Sequence, residues 1–427
     1  MKKALLISYY FPPDPEIGGL RMQGLARYLP EFGWEPIILT KELHEESDSQ
    51  FRVIQAPSPD DFLLNLLYKY FGSDPVYGVK KKLKINTQKN KKSIRYLFVL
   101  SIAEIVTYPD IHKKWKKSLK IIGTDILEKE DIKVIISSSS PIVTHLVAND
   151  LKKEFNIPWI ADLRDLWSQN HYYKYSFIRK FFEKKLEVKT LTESNAITTV
   201  STYLANDLKK LHGENKVFVA PNGFDPKDID NSVVDITDKF TITYTGTLYQ
   251  GKRDPSKLFK AINELISENK IDKNDINIRF YGKQEDWLYK DIEKYNLKDV
   301  TNYYGFVSRN LVVTKQRESQ LLLLLLWDNP KESGVYTGKI FEYLAAQRPI
   351  IAIGPSVGGV VKDLLEETGV GIYTSSIQEL KEYLVQCYFE YKTKGRVLYN
   401  GRRGQIEKYS QREMARTFAR RMDELSR

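Results

Sequence analysis

The chain reads as α/β, with two doubly wound domains built on parallel sheets. Three observations point there. Short apolar runs recur along the sequence and are continuous rather than alternating, which suits strands buried on both faces of a parallel sheet. Stretches with helical spacing fall between them, so strand and helix take turns. The series stops once, at a polar and acid-rich stretch over 226–239, and then begins again. The length of 427 residues suits about two domains, each able to bury its own core.

The first strand is predicted over 3–8. A Pro- and Gly-rich loop follows, then helical spacing over 20–32 through Leu20, Leu25, Tyr28, Leu29 and Phe32, bent or ended near Pro30. Gly33 stops that helix, and 35–40 is the next strand. Residues 41–130 are less regular and hold a basic, aromatic insert. The alternation resumes with strands at 134–137, 159–162, 196–200 and 217–220, and helices at 142–155, 177–194 and 204–211. Pro221-Asn222-Gly223-Phe224-Asp225 is a turn sequence. The second series places strands at 240–245, 276–281, 300–304, 321–326, 350–353 and 371–374. A basic helix near 410–426 ends the chain. The expected division is 1–225 for an acceptor-binding domain, 226–239 for a linker, 240–405 for a nucleotide-sugar-binding domain, and 406–427 for a helical end that packs back on the first domain. Both domains are Rossmann-like, and a ligand is expected in the deep cleft they face, at the carboxyl ends of the strands.

Bulk properties remove several classes. A single cysteine, Cys387, excludes an internal disulfide and a Cys-based metal cage, and it suggests a reducing compartment. The apolar run at 4–8 is too short for a signal peptide, and no stretch approaches the ~20 apolar residues of a membrane span. The expectation is a cytoplasmic protein. The net charge is +11, and residues 80–120 alone carry thirteen Lys/Arg against Glu104 and Asp110. An apolar, aromatic run lies beside them over 62–71. Lys80, Lys81, Lys82, Lys91 and Lys92 with that run suit an anionic membrane surface, so the protein is expected on the inner face of the plasma membrane. Nucleic acid would also be attracted, but no nucleic-acid motif accompanies the charge. The plainer alternative is a lysine-rich solvated surface.

The most informative stretch is 333–342, Ser-Gly-Val-Tyr-Thr-Gly-Lys-Ile-Phe-Glu, between a run of six leucines and a short apolar strand. Gly334 and Gly338 let the backbone approach a ligand. A helix starting near Gly338 points free N–H groups and its positive dipole end into the loop. Lys339 adds a full charge, and Glu342, one turn in, is placed to accept hydrogen bonds from sugar hydroxyls. Anion at a helix start with a polyol beside it describes a nucleotide diphosphate.

These residues resemble the family 4 retaining glycosyltransferases of GT-B fold, over nearly the whole chain apart from 41–130. The opening strand with Pro12-Pro13 and Gly18-Gly19 is similar to that family's N-terminal glycine loop. Val200-Ser201, Pro221-Asn222-Gly223 and Tyr244-Thr245-Gly246-Thr247-Leu248 resemble further markers, and 338–349 resembles the helix bearing the donor-binding Glu. There are departures. The family signature has two Glu separated by seven residues. Glu342 matches the second, while the first falls at position 334, a Gly, with Glu332 nearby but out of register. An Arg often following the glycine of the donor-domain turn is here Thr247, and Arg253 is the candidate to supply its charge. In place of the family's active-site His there are serines at 137–140, and His145 sits inside the next helix, where a structural role is expected.

The resemblance implies a hexosyl- or N-acetylhexosaminyl-transferase that retains anomeric configuration and needs neither metal nor cofactor. Its UDP- or GDP-sugar donor would be bound by Gly18, Gly19, Gly246, Arg253, Thr337, Gly338, Lys339 and Glu342. Arg253 and Lys339 would stabilise the leaving diphosphate, since charge-assisted hydrogen bonds are stronger than neutral ones. Asp162-Leu163-Arg164-Asp165 ends a strand, and buried charges there are costly unless paired or bound. Asp162 is expected to orient or deprotonate an acceptor hydroxyl, with Ser138, Arg164 and Asp165 contacting the acceptor, a lipid-linked saccharide or glycan of surface polysaccharide assembly. An Arg164–Asp165 structural pair is the alternative. A nucleotide-sugar epimerase and a degenerate scaffold subunit are the competing functions.

Overall fold

The computed structural model describes residues 1–14, 17–43, 48, 50–58, 101–173, 175–229, 232 and 234–427. The chain forms two units, Met1–Pro221 with Met414–Arg427, and Asn222–Glu413.

The first unit opens with β1 (Lys2–Ile7), α1 (Ile17–Tyr28) and β2 (Trp34–Lys41). Pro30 falls in a 3-10 turn over Leu29–Phe32 that closes the helix. Among the described residues, the stretch expected to be irregular holds β3 (Arg52–Ala56), a helical segment over 101–106 and α2 (Trp115–Lys129). Then follow β4 (Ile132–Ser139), α3 (Val143–Phe155), β5 (Trp159–Leu163), α4 (Phe177–Leu191), β6 (Ala196–Thr199), α5 (Thr202–His212) and β7 (Val217–Val219). The sheet order is β3-β2-β1-β4-β5-β6-β7, all parallel. The chain therefore reverses direction across the sheet between β1 and β4, the position where doubly wound folds open a crevice.

The second unit repeats the plan with β8 (Phe240–Thr245), α6 (Ser256–Ser267), β9 (Ile276–Tyr281), α7 (Asp286–Lys294), β10 (Thr301–Tyr303), α8 (Arg309–Arg317), β11 (Leu321–Leu325), α9 (Gly338–Ala346), β12 (Ile350–Ile353), α10 (Val360–Thr368), β13 (Gly371–Thr374) and α11 (Ile377–Lys394). Its sheet order is β10-β9-β8-β11-β12-β13, again parallel. Here the reversal lies between β8 and β11. The leucines of β11 are all buried because helices cover both faces: Leu321, Leu323 and Leu325 join one core cluster, Leu322 and Leu324 the other.

The last helix, α12 (Gln411–Leu425), buries Met414, Ala415, Phe418, Ala419 and Met422 against Leu6, Ile38 and Ile136 of the first unit. Spacings of three and four residues put those five side chains on one stripe. Residues 222–225, expected at the end of the first domain, instead go with the second unit. Phe224 is buried with Ile340, Leu344 and Tyr409, and its backbone pairs with Ser410.

Candidate functional site

The site of the second unit is built on the two strands that flank the reversal. β8 ends at Gly246, whose φ of 117° excludes most side chains, and whose N–H donates to Tyr281 O at 2.6 Å. A Cβ here would also collide with Cε and Nζ of Lys339, which crosses the glycine from α9. Glycine is thus required so that a lysine on the helix after β11 can lie against the end of β8. The following loop is held by Tyr244, which donates to Thr247 O (2.9 Å), and by Gln250 N–H, which donates to Glu285 Oε1 (3.2 Å). Arg253 N–H donates to Leu248 O at 3.0 Å, and the Arg253 guanidinium packs 4.8 Å from the Tyr249 ring centroid. Its Nε and Nη1 are buried without a hydrogen-bond partner. Asp254 does not neutralise it: that carboxylate accepts from Ser256 N–H (2.8 Å) and Oγ–H (2.9 Å) instead.

Lys339 and Arg253 therefore converge. Burial pushes the Lys339 ammonium down to about 8, and the nearby Arg253 charge pushes the same way, with Glu342 opposing both. Two cations driven together with unused donors make a seat for an anion with more than one negative charge.

Helix α9 is fixed by Tyr343. Its hydroxyl accepts from Thr245 N–H (3.3 Å) and donates to Leu323 O (3.1 Å), locking the helix to both flanking strands. Thr337 precedes the helix with no side-chain cap bond, so the N–H groups at Thr337-Gly338 are not tied up by that side chain. Gly338 is exposed, and a Cβ there would meet nothing within 4 Å. Glu342 is exposed on the first turns of α9, and Gln316 Nε2 reaches both its Oε2 (3.5 Å) and Thr245 Oγ1 (3.0 Å). Gly334, at the position of the first signature Glu, is buried. Gln316, Tyr343 and the Lys252–Trp327 stack (4.1 Å) were not singled out from sequence. Only Trp327, directly after the leucine run, carried a local signal.

The first unit places its charges differently. Gly18 opens α1 beneath Arg164, whose guanidinium a Cβ at that position would strike, and Gly19 packs on the Phe11 backbone. Arg164 Nε lies 3.3 Å from Asp165 Oδ2, the structural pair foreseen as the alternative. Asp162 corrects the expectation of an acceptor-facing carboxylate. It is fully buried, accepts from Arg21 Nε (3.0 and 3.1 Å) and Nη2 (2.9 Å), and accepts from Ser138 Oγ–H (2.8 Å). Ser138 is committed in the same network, as its O accepts from Thr144 Oγ1–H (2.9 Å). Neither side chain presents a free group to an acceptor. His145 is a core residue. Its Nδ1 is 2.7 Å from Ser137 Oγ, and burial holds its pKa down at about 4, with Asp162 opposing. Lys80, Lys81, Lys82, Lys91, Lys92 and the aromatic run at 62–71 lie outside the described residues. Among the described residues, no group of three or more His, Cys, Asp or Glu side chains is placed to hold a metal ion.

Residues 90–228 match the profile described as Glycosyltransferase Family 4. Solved structures similar to the whole chain include HepE from Anabaena in complex with UDP and glucose, at 11% identity and TM-score 0.61, with 99% of this chain and 100% of that chain covered. Sucrose-phosphate synthase from Thermosynechococcus elongatus gives 13% identity and TM-score 0.62 over 100% and 99% of the two chains. The fold is GT-B. The lipopolysaccharide outer core galactosyltransferase WaaB is also similar, at 12% identity and TM-score 0.54, with 98% of each chain covered. No curated protein matches the chain. At these identities the likeness to GT-B structures speaks to architecture, and the chemistry has to come from this chain's own residues.

Proposed function

We propose that the protein is a retaining glycosyltransferase that moves a hexosyl or N-acetylhexosaminyl group from a UDP- or GDP-sugar to a lipid-linked or glycan acceptor in cell-surface polysaccharide biosynthesis. One observation carries the reading: Arg253 and Lys339 meet at the reversal point of the second sheet, with buried guanidinium donors unused. A diphosphate bound there meets two cations and the uncapped start of α9. As the bond from sugar to phosphate oxygen breaks, charge grows on that oxygen. Preorganised donors then act more strongly on the transition state than on the bound donor. Glu342 accepts hydrogen bonds from the ribose hydroxyls. Asp162 is not needed as a base, since in this chemistry the departing phosphate takes the acceptor proton. The UDP bound in HepE makes UDP-sugars the first donors to try.

The test is sugar release or transfer from UDP- and GDP-sugars. Glu342→Ala is expected to lower the rate at least about tenfold, the scale of losing hydrogen bonds to a charged group. Equal rates in the two proteins would remove the assignment. Gly334, standing where the family has its first Glu, favours a second reading as a nucleotide-binding subunit without turnover. Binding of UDP with no product from any donor is the result that reading requires.

A further inference from the structure

Helix α4 is amphipathic in the inverted sense. Its inward side carries Arg179, Glu183 and Glu187, each at most 5% exposed. Its outward side carries Phe177, Ile178, Phe181 and Phe182, between 50% and 81% exposed. The spacing is helical on both sides, so the helix is well formed and turned with its apolar face to the outside. A surface helix ordinarily does the reverse.

Specific bonds hold it that way. Arg179 donates to Glu183 Oε1 (3.0 Å), Thr107 Oγ1 (2.7 Å) and Thr107 O (3.1 Å). Glu183 accepts from Trp167 Nε1–H (2.8 Å), and Glu187 from Ser168 N–H (2.9 Å). Rotating α4 to bury its phenylalanines would break all of these and strand the partners. The segment before the helix is tied in as well, since Ser176 N–H donates to Glu104 Oε1 at 2.8 Å. The stretch around Glu104 adds exposed Ile102 and Ile105. The charge is sorted with equal consistency. Both acids of α4 are buried, while Lys180, Lys184, Lys185 and Lys189 are exposed. Lys185 Nζ sits 4.5 Å from the Phe181 ring centroid. No described helix is long and apolar enough to cross a membrane.

We infer that this face of α4 docks on the surface of an anionic phospholipid bilayer. The phenylalanines enter the boundary between headgroups and acyl chains, and the lysines meet the lipid phosphates. The exposed charges of α4 are all cations, which selects a bilayer over a second copy of the chain, because two such helices would repel. The inference is independent of the glycosyltransferase reading. If that reading also holds, the first unit sits where a lipid-carried acceptor resides.

The experiment is flotation of the full chain with phosphatidylcholine vesicles containing about 30% phosphatidylglycerol, against pure phosphatidylcholine. Wild type is expected on the anionic vesicles and largely free of the neutral ones. Partitioning should fall about a hundredfold in the triple variant Phe177→Ser, Phe181→Ser, Phe182→Ser, and at least about tenfold in Lys180→Gln, Lys184→Gln, Lys185→Gln. All the altered side chains are exposed, so melting temperatures should hold. A Phe181→Trp reporter should shift its emission to the blue on anionic vesicles. Wild type that fails to bind, a phenylalanine variant that binds as well as wild type, or unmoved tryptophan emission overturns the inference. Self-association that the phenylalanine variant abolishes overturns it too, in favour of a second copy. UDP binding measured on the same variants separates failure of this surface from failure of the donor site.

Discussion

Each unit has an arginine with buried guanidinium nitrogens at its sheet's reversal, Arg21 and Arg253, and the two are treated oppositely. In the first unit Arg21 is matched. Asp162 faces it with both oxygens, and Ala220 O accepts from Nη1 at 2.9 Å. In the second unit Arg253 meets another cation, Lys339, and two of its nitrogens go unused. Both arrangements cost desolvation. The first recovers it with a carboxylate inside the protein, while Arg253 has only the Tyr244 hydroxyl and the Tyr249 ring against it. The contrast separates scaffold from site: a balanced charge cluster is complete without a ligand, while an unbalanced one is stabilised when an anion arrives.

The comparison breaks hardest at Asp162. Asp162→Ala leaves Arg21 buried without its counter-charge, and a loss of about 3–5 kcal/mol is expected from urea unfolding. A loss below about 1 kcal/mol would mean that the pair is not an anchor. The cations of the second unit should behave in the opposite way. Lys339→Met and Arg253→Met each remove one of two like charges, so stability should hold or rise slightly. UDP or GDP affinity should fall by roughly 10- to 100-fold, as for losing one charge-assisted hydrogen bond. Titration calorimetry and unfolding on the same variants read both signs. Destabilisation together with unchanged affinity would turn the second cluster into scaffold like the first.

Much of the architecture was legible because buried parallel strands advertise themselves. Phe240–Thr245, Ile276–Tyr281, Ile350–Ile353 and Gly371–Thr374 coincide with their apolar runs. β3 and α2 were hidden for a physical reason. β3 lies at the sheet edge, and Arg52 and Gln55 interrupt its apolar character, while α2 buries Trp115, Leu119 and Ile126 beneath a lysine-rich outer face that dominates the composition. The candidate site was legible where it is local, as in the run from Thr337 to Glu342. It failed where a partner is distant: Asp162 finds Arg21 141 residues away, and no spacing rule reports that pairing. The inverted face of α4 escaped for a related reason. Its periodicity is correct, and only the partners of Arg179 and Glu183 decide which side turns in.

The finest test of the contrast is proton linkage at Lys339. In the folded chain its ammonium titrates at about 8, against 10.5 ordinarily. The unfolded chain then holds more protons between those values, so this group's contribution to stability rises with pH from about 8 to 10.5 and is unfavourable below. A bound diphosphate works in the other direction, because negative charge restores the ammonium. Nucleotide binding should therefore take up a proton near pH 8, and affinity should decline, by less than about tenfold per unit, as pH rises from about 7 to 9. Calorimetry in two buffers of different ionisation enthalpy measures the uptake. Lys339→Met should abolish it. Arg253→Met removes the like charge that pushes Lys339 down, so the uptake should move to higher pH. An affinity flat across this range in wild type would mean that the ammonium does not touch the ligand, and the unmatched cluster would lose its explanation.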